Sequence, residues 1–128
     1  MKPIILIVDD EPHMRQLITF CLKKGGYRIL TASSGSEAIG IACREKPALI
    51  VMDLVMEGMD GVAALKKLRE QNDMAATPVI IVTTQSLTAP QTVGKDIQAT
   101  TFLTKPFSPN FLLAEVNRLL KPGPVKQP

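Results

Sequence analysis

Three short stretches of the chain are apolar at every position: Ile4 to Val8, Leu49 to Met52 and Val79 to Val82. Runs of this length without polar alternation fit strands buried on both faces of a parallel sheet. Tyr27 to Ala32 and Thr101 to Thr104 are short, mixed stretches that suit two further strands. Between them the spacing changes from strand-like to helical. Pro12 suits a first helical turn, and Met14, Leu17, Ile18, Cys21 and Leu22 then mark one buried helical stripe. Gly25-Gly26 stops that helix, as a left-handed cap does. A second helix runs from Ser34 to about Glu45 with Ala38, Ile41 and Ala42 inward, weakened by about 1 kcal/mol at Gly40.

Pro47 introduces the third strand, and Asp60 is placed to cap a helix that buries Leu65 and Leu68. Pro78 opens the fourth strand. Ser108-Pro109 reads as an N-cap and N1 proline, starting a final helix with Phe111, Leu112, Val116, Leu119 and Leu120 inward. Residues 87–98 complete the alternation as a penultimate helix. Pro90, Gly94 and several β-branched side chains give that helix poor propensity, so it is expected to be short or mobile.

Strand-helix alternation of this kind gives an α/β fold, with a parallel sheet covered on both faces by right-handed crossovers. Five strands and five helices fit a flavodoxin-like three-layer sandwich of strand order 2-1-3-4-5, an order taken over from that fold class rather than derived from these residues. One domain over residues 1–121 accounts for the pattern. Residues 122–128, with three prolines, cannot continue a helix and are expected to be a tail or the start of a linker.

Composition narrows the function classes. A chain of 128 residues is long enough for one well-buried core. No apolar run approaches the roughly 20 residues of a membrane span, and Met1-Lys2-Pro3 followed by five apolar residues is not expected to be a signal peptide. The net charge of +3 and pI near 9.0 raise nucleic acid as a partner. The basic residues are dispersed, however, and with no Trp and one Tyr there is no aromatic-basic interleaving, so direct nucleic-acid binding is set aside. Cys21 and Cys43 lack metal or redox spacing and suit free thiols in a cytoplasmic protein.

The polar residues that end the strands carry the chemistry. The first strand ends on Asp9-Asp10, the third on Asp53, the fourth on Thr83, and the fifth delivers Lys105-Pro106. In an open parallel sheet the carboxyl ends share one edge, and ligands bind in the crevice there. Three carboxylates so placed repel one another unless a cation sits among them. Hard oxygen donors with room for water suit Mg²⁺, which favours phosphate-bearing substrates. Lys105 adds a point charge for phosphoryl oxygens and Thr83 a hydroxyl donor. Nucleophile, charge neutralisation and oxygen donors are what phosphoryl transfer requires.

These residues fall in motifs: Val8-Asp9-Asp10-Glu11-Pro12, Met52-Asp53-Leu54, Met59-Asp60-Gly61, Val82-Thr83 and Phe102-Leu103-Thr104-Lys105-Pro106-Phe107. Five motifs in this order and spacing resemble the receiver domain of two-component response regulators over roughly residues 3 to 121. The resemblance implies that Asp53 is the phosphoacceptor, taking a phosphoryl group from a phosphohistidine on a sensor kinase or phosphotransfer protein. It implies that Asp10, Asp53 and the Val55 carbonyl ligate Mg²⁺, with Asp9 acting mainly through bound water. Lys105 pairs with Asp53 and then with the phosphoryl group. Thr83 and Phe102 act as the switch pair, and the Lys105-Pro106 bond is cis, as an X-Pro bond permits. Output lies on the face of the penultimate helix, fifth strand and final helix. The residues in hand fit a stand-alone regulator or the receiver portion of a longer chain.

The chain departs from the family pattern at several points. Glu57 stands where Pro is frequent, and Thr84 where Ala or Gly is common, which narrows access to the phosphoryl group. Val55 and Gln85 occupy positions that, with Thr84, tune hydrolysis. Val55 cannot hydrogen-bond an attacking water and Gln85 does so without charge, so a long-lived phospho-Asp53 is expected. Other readings fare worse. A small Mg-dependent aspartyl phosphatase with Asp9 as nucleophile wants a second Asp two positions on, where Glu11 stands, and has a cap for which no residues remain. A non-phosphorylated receiver-like binding module does not need all five principal positions. A flavin or nucleotide binder needs a glycine-rich phosphate loop after the first strand, where Asp9-Asp10 stands. His13 is read as an exposed imidazole and the methionines Met52, Met56 and Met59 as packing.

Overall fold

The computed structural model describes residues 2–53, 61–70, 76–84, 101–105 and 107–120, with the side chains at 62, 83, 84 and 105 outside that description. The strands form where the apolar runs lie: β1 (Ile4–Val8), β2 (Arg28–Ala32), β3 (Leu49–Met52), β4 (Val79–Thr84) and β5 (Thr101–Lys105). All pair in parallel in one sheet of order β2-β1-β3-β4-β5. Four helices occur among the described residues: α1 (Pro12–Lys23), α2 (Gly35–Glu45), α3 (Gly61–Arg69) and α4 (Pro109–Leu120). The helix expected over 87–98, the Asp60 cap and the tail lie outside the described residues.

The two-residue period of the strands sorts their side chains into two cores. Leu6, Val8, Ile50, Met52, Val79 and Ile81 pack against Ala38 and Ala42 of α2 and Ala64, Leu65 and Leu68 of α3. The alternate residues Ile5, Ile7, Leu49, Val51, Ile80 and Val82 pack against Ile18, Cys21 and Leu22 of α1 and Leu112 and Val116 of α4. This explains why β1, β3 and β4 carry no polar alternation: both faces are covered.

Local chemistry sets the helix ends. Ser34 caps α2, its Oγ accepting from Glu37 N at 3.2 Å, while the Glu37 carboxylate accepts from Ser33 N at 2.7 Å. Ser108 caps α4 in the same way, accepting from Phe111 N at 3.3 Å, with Pro109 in the first turn. The left-handed residue after α1 is Gly26, at φ 86°. Tyr27 precedes β2 rather than opening it. It is buried, and its hydroxyl donates to Asn117 Oδ1 of α4. The Cys21 thiol donates to the Pro109 carbonyl at 2.9 Å, which ties α1 to α4.

Two side chains expected to point inward do not. Leu17 is 43% exposed and Phe111 51% exposed. On α1 the buried arc runs through Ile18, Cys21 and Leu22, and Leu17, one turn before Cys21, lies about 40° beyond its edge. On α4 the pair Leu112 and Val116 defines the buried line, and Phe111 is displaced from it by one residue, about 100° of helix.

Candidate functional site

The β1, β3, β4 and β5 registers bring the carboxyl ends of these strands to one edge. Val8 pairs with Met52, and the ladder continues one step further, with Asp53 N donating to Val8 O at 3.0 Å. On the other side of β1, Asp9 N donates to Ala32 O at 3.1 Å. Asp9 and Asp53 therefore leave adjacent strands at the same level. Their carboxylates and that of Asp10 each offer an oxygen, and these atoms all lie within 4.8 Å of one another. Asp9 is 2% exposed and Asp53 5%, while Asp10 is partly exposed. Two carboxylates with so little water access, beside a third, thus follow directly on strands that are apolar throughout.

Asp9 is held at both ends. Its Oδ1 accepts from Glu11 N at 2.9 Å, which tightens the turn into α1. Its carbonyl accepts from Arg15 Nη1 at 2.7 Å. Arg15 also attracts Glu37, whose carboxyl is held below the usual range chiefly by the backbone and hydroxyl bonds from Ser33 and, in smaller part, by this charge. Three close carboxylates with hard oxygens suit a divalent cation better than any soft metal. His13 is exposed, one turn away, and is not in the group of metal-ligating side chains.

The remaining predicted residues divide by what is described. The backbones of Thr83 and Lys105 stand at the same sheet edge, Thr83 opposite Thr104 and Thr84 opposite Lys105. The side chains of Thr83, Thr84 and Lys105, and all of Val55, Gln85 and Pro106, lie outside the described residues. Phe102 pairs with Ile81 and packs, partly buried, against the α2 and α3 core. Arg15 was not singled out from the sequence. The available signal was a basic residue one turn into the helix that follows an acidic pair.

The comparisons with known proteins agree with this geometry. A family model described as the response regulator receiver domain matches residues 5–117. The protein PilH of Pseudomonas aeruginosa is 39% identical over 116 residues, covering 91% of this chain and 96% of that protein. Other curated relatives are transcriptional regulators, and the chain spans about half their length, for example 52% and 49%. Among solved structures, the chemotaxis protein CheY4 of Vibrio cholerae superposes with a TM-score of 0.88 at 33% identity, covering 94% of this chain and 100% of that one. The receiver domain of the sensor histidine kinase PA1611 of P. aeruginosa, described with a magnesium ion coordinated in its active-site cleft, gives a TM-score of 0.84 at 27% identity over 93% of this chain and 98% of that one.

Proposed function

Because the chain belongs to the receiver-domain family of two-component response regulators, which are phosphorylation-dependent signalling switches, we propose that Asp53 is its phosphoacceptor. The carrying observation is the convergence of Asp9, Asp10 and Asp53 within 4.8 Å at the carboxyl ends of β1 and β3. Asp53 lies at the end of a central strand, closed off from bulk water, where an ionised carboxylate is costly unless chemistry requires it. Its carboxylate attacks the phosphorus of a phosphohistidine on a sensor histidine kinase or phosphotransfer protein. The P–N bond breaks as the acyl phosphate forms, and the imidazole recovers its proton from solvent.

The donor set fits the divalent ion that the family implies: hard, anionic oxygens, close together, on rigid strand ends. Asp10 and Asp53 would hold Mg²⁺ with the Val55 carbonyl, and Asp9 would hold it through water. Bound there, the ion supplies neutralisation of the phosphoryl oxygens. The similarity to a receiver domain described with magnesium supports this assignment. Lys105 and Thr83 are assigned to the phosphoryl oxygens from their strand-end positions. Their charge-assisted bonds, made in one state alone, bias a two-state equilibrium that Phe102 follows. The domain assists its own phosphorylation and dephosphorylation without being an enzyme that turns over a separate substrate. Its output reaches a downstream protein or attached domain through the side of the sheet that β5 and α4 form. No helix among the described residues is long and apolar enough to cross a membrane, and a cytoplasmic setting with the kinase's catalytic portion is proposed.

The test is incubation with a small phosphodonor and Mg²⁺, followed by intact mass measurement. One phosphoryl group per chain, absent in Asp53→Asn, is expected. Multiple turnover of phosphoesters would instead favour a phosphatase built on Asp9.

A further inference from the structure

We infer that Arg15 is a positioning residue of the acidic site, fixing the backbone of Asp9 so that the three carboxylates face a common cation. The inference rests on the divalent-ion reading above. Asp9 follows the last residue of β1, where regular pairing ends, and its orientation there depends on what holds it. Arg15 Nη1 donates to the Asp9 carbonyl at 2.7 Å, and Glu11 N donates to Asp9 Oδ1 at 2.9 Å. The first bond restrains the peptide plane after Asp9 and the second the carboxylate, beside the Asp9 N–H bond to Ala32 O, and each narrows where the remaining oxygen points. Arg15 is itself anchored, because it lies in the first turns of α1, where Met14 N and Arg15 N donate to Glu11 O, each at 3.1 Å.

The guanidinium reaches further than Asp9. It attracts Glu37, and Glu37 in turn accepts from Ser33 N and Oγ at 2.7 and 3.0 Å in the turn after β2. Arg15 thus bears on the loop that carries Asp9-Asp10 through a hydrogen bond, and on the loop that follows Ala32 through its charge alone. A planar group with five donors holds the carbonyl in a fixed orientation, where an ammonium serves as a point charge. Outer partners of this kind, which hold the ligands of a metal rather than the metal, typically change affinity 10- to 100-fold when removed.

Charge and positioning make opposite predictions, which gives the test its power. Arg15 is a cation near three carboxylates, so on Coulombic grounds alone its removal leaves the site more negative and tightens divalent binding. If it positions Asp9, removal weakens binding despite the added negative field. Titration calorimetry with Mg²⁺ on the wild type, Arg15→Ala and Arg15→Lys, with thermal midpoints measured in parallel, reads the difference. Expected is about tenfold weaker Mg²⁺ binding in Arg15→Ala and a smaller loss in Arg15→Lys, which keeps the charge and one donor. Unchanged or tighter binding in a folded Arg15→Ala overturns the inference, even if its thermal midpoint falls, since a purely structural residue behaves that way. Should Arg15→Ala not fold, Arg15→Lys carries the test: affinity equal to wild type overturns the inference. A wild type that binds no Mg²⁺ overturns the cation reading and the inference with it, an outcome distinct from a wild type that binds beside unchanged variants.

Discussion

Replacing Asp53 with Asn removes two of the three carboxylate pairs at the site while keeping the side chain's shape. With oxygens no more than 4.8 Å apart, each pair of charges repels by about 0.9 kcal/mol if screened as in water and about 3.5 kcal/mol at an effective dielectric of 20. Asp53 is 5% exposed while Asp10 is partly exposed, which places the two pairs near the middle of that range, about 4.4 kcal/mol together. Against this, the carboxylate gives up charge-assisted hydrogen bonds worth about 1.5 to 3 kcal/mol. The balance is a variant more stable than wild type by about 1 to 3 kcal/mol in the absence of divalent ions. In urea unfolding with EDTA, that is a midpoint higher by roughly 0.5 to 1.5 M at a slope of about 2 kcal/mol per M. Mg²⁺ at ten times its dissociation constant adds about 1.4 kcal/mol to the wild type, so the gap narrows when the ion is present. A midpoint for Asp53→Asn at or below wild type in EDTA would refute the view that the cluster is held together against its own charge.

Two glycines give opposite signs. Gly40 is exposed on α2 with open space around its missing Cβ, so Gly40→Ala should stabilise by about 0.5 to 1 kcal/mol in chemical denaturation. At Gly25 a Cβ would meet Leu113 Cδ1 at 2.7 Å and the Tyr27 ring at 2.9 Å, so Gly25→Ala should destabilise by about 1 to 3 kcal/mol. Burial pushes the Cys21 thiol above 9.0 and the Tyr27 phenol above 10.0, so both keep their protons to higher pH folded than unfolded. Their contribution is therefore complete below pH 9 and declines as pH rises through that range. Tyr27→Phe should lower stability by about 1 kcal/mol at neutral pH, through the lost bond to Asn117, and flatten the decline above pH 10. Val55→Asn should shorten the lifetime of phospho-Asp53, read as phosphate release; an unchanged decay rate removes Val55 from the determinants of hydrolysis.

The sheet was legible because β1, β3 and the first four residues of β4 are apolar at every position, a pattern that burial on both faces demands. Asp9, Asp10 and Asp53 were legible for the same reason, since a charge directly after such a strand has one sheet edge to occupy. Helix orientation was less so. A stripe of five apolar residues spans more of a helix than α1 buries, and the sequence does not say that Cys21 turns toward Pro109 and leaves Leu17 outside. Phe111 was misplaced for a similar reason: with Leu112 and Val116 fixing the rotation of α4, an aromatic beside them in sequence faces outward. Arg15 and the Tyr27–Asn117 bond escaped because they depend on distant or backbone partners, 90 residues apart in the second case, which side-chain periodicity does not encode.

The central claim is that one carboxylate of three at this edge receives the phosphoryl group. Borohydride reduction of the chain after treatment with a phosphodonor and Mg²⁺ converts an acyl phosphate to an alcohol at the modified residue, and peptide mass mapping then locates it. Conversion at Asp53 alone is predicted. Conversion at Asp9 or Asp10, or none at any of the three, would contradict the account.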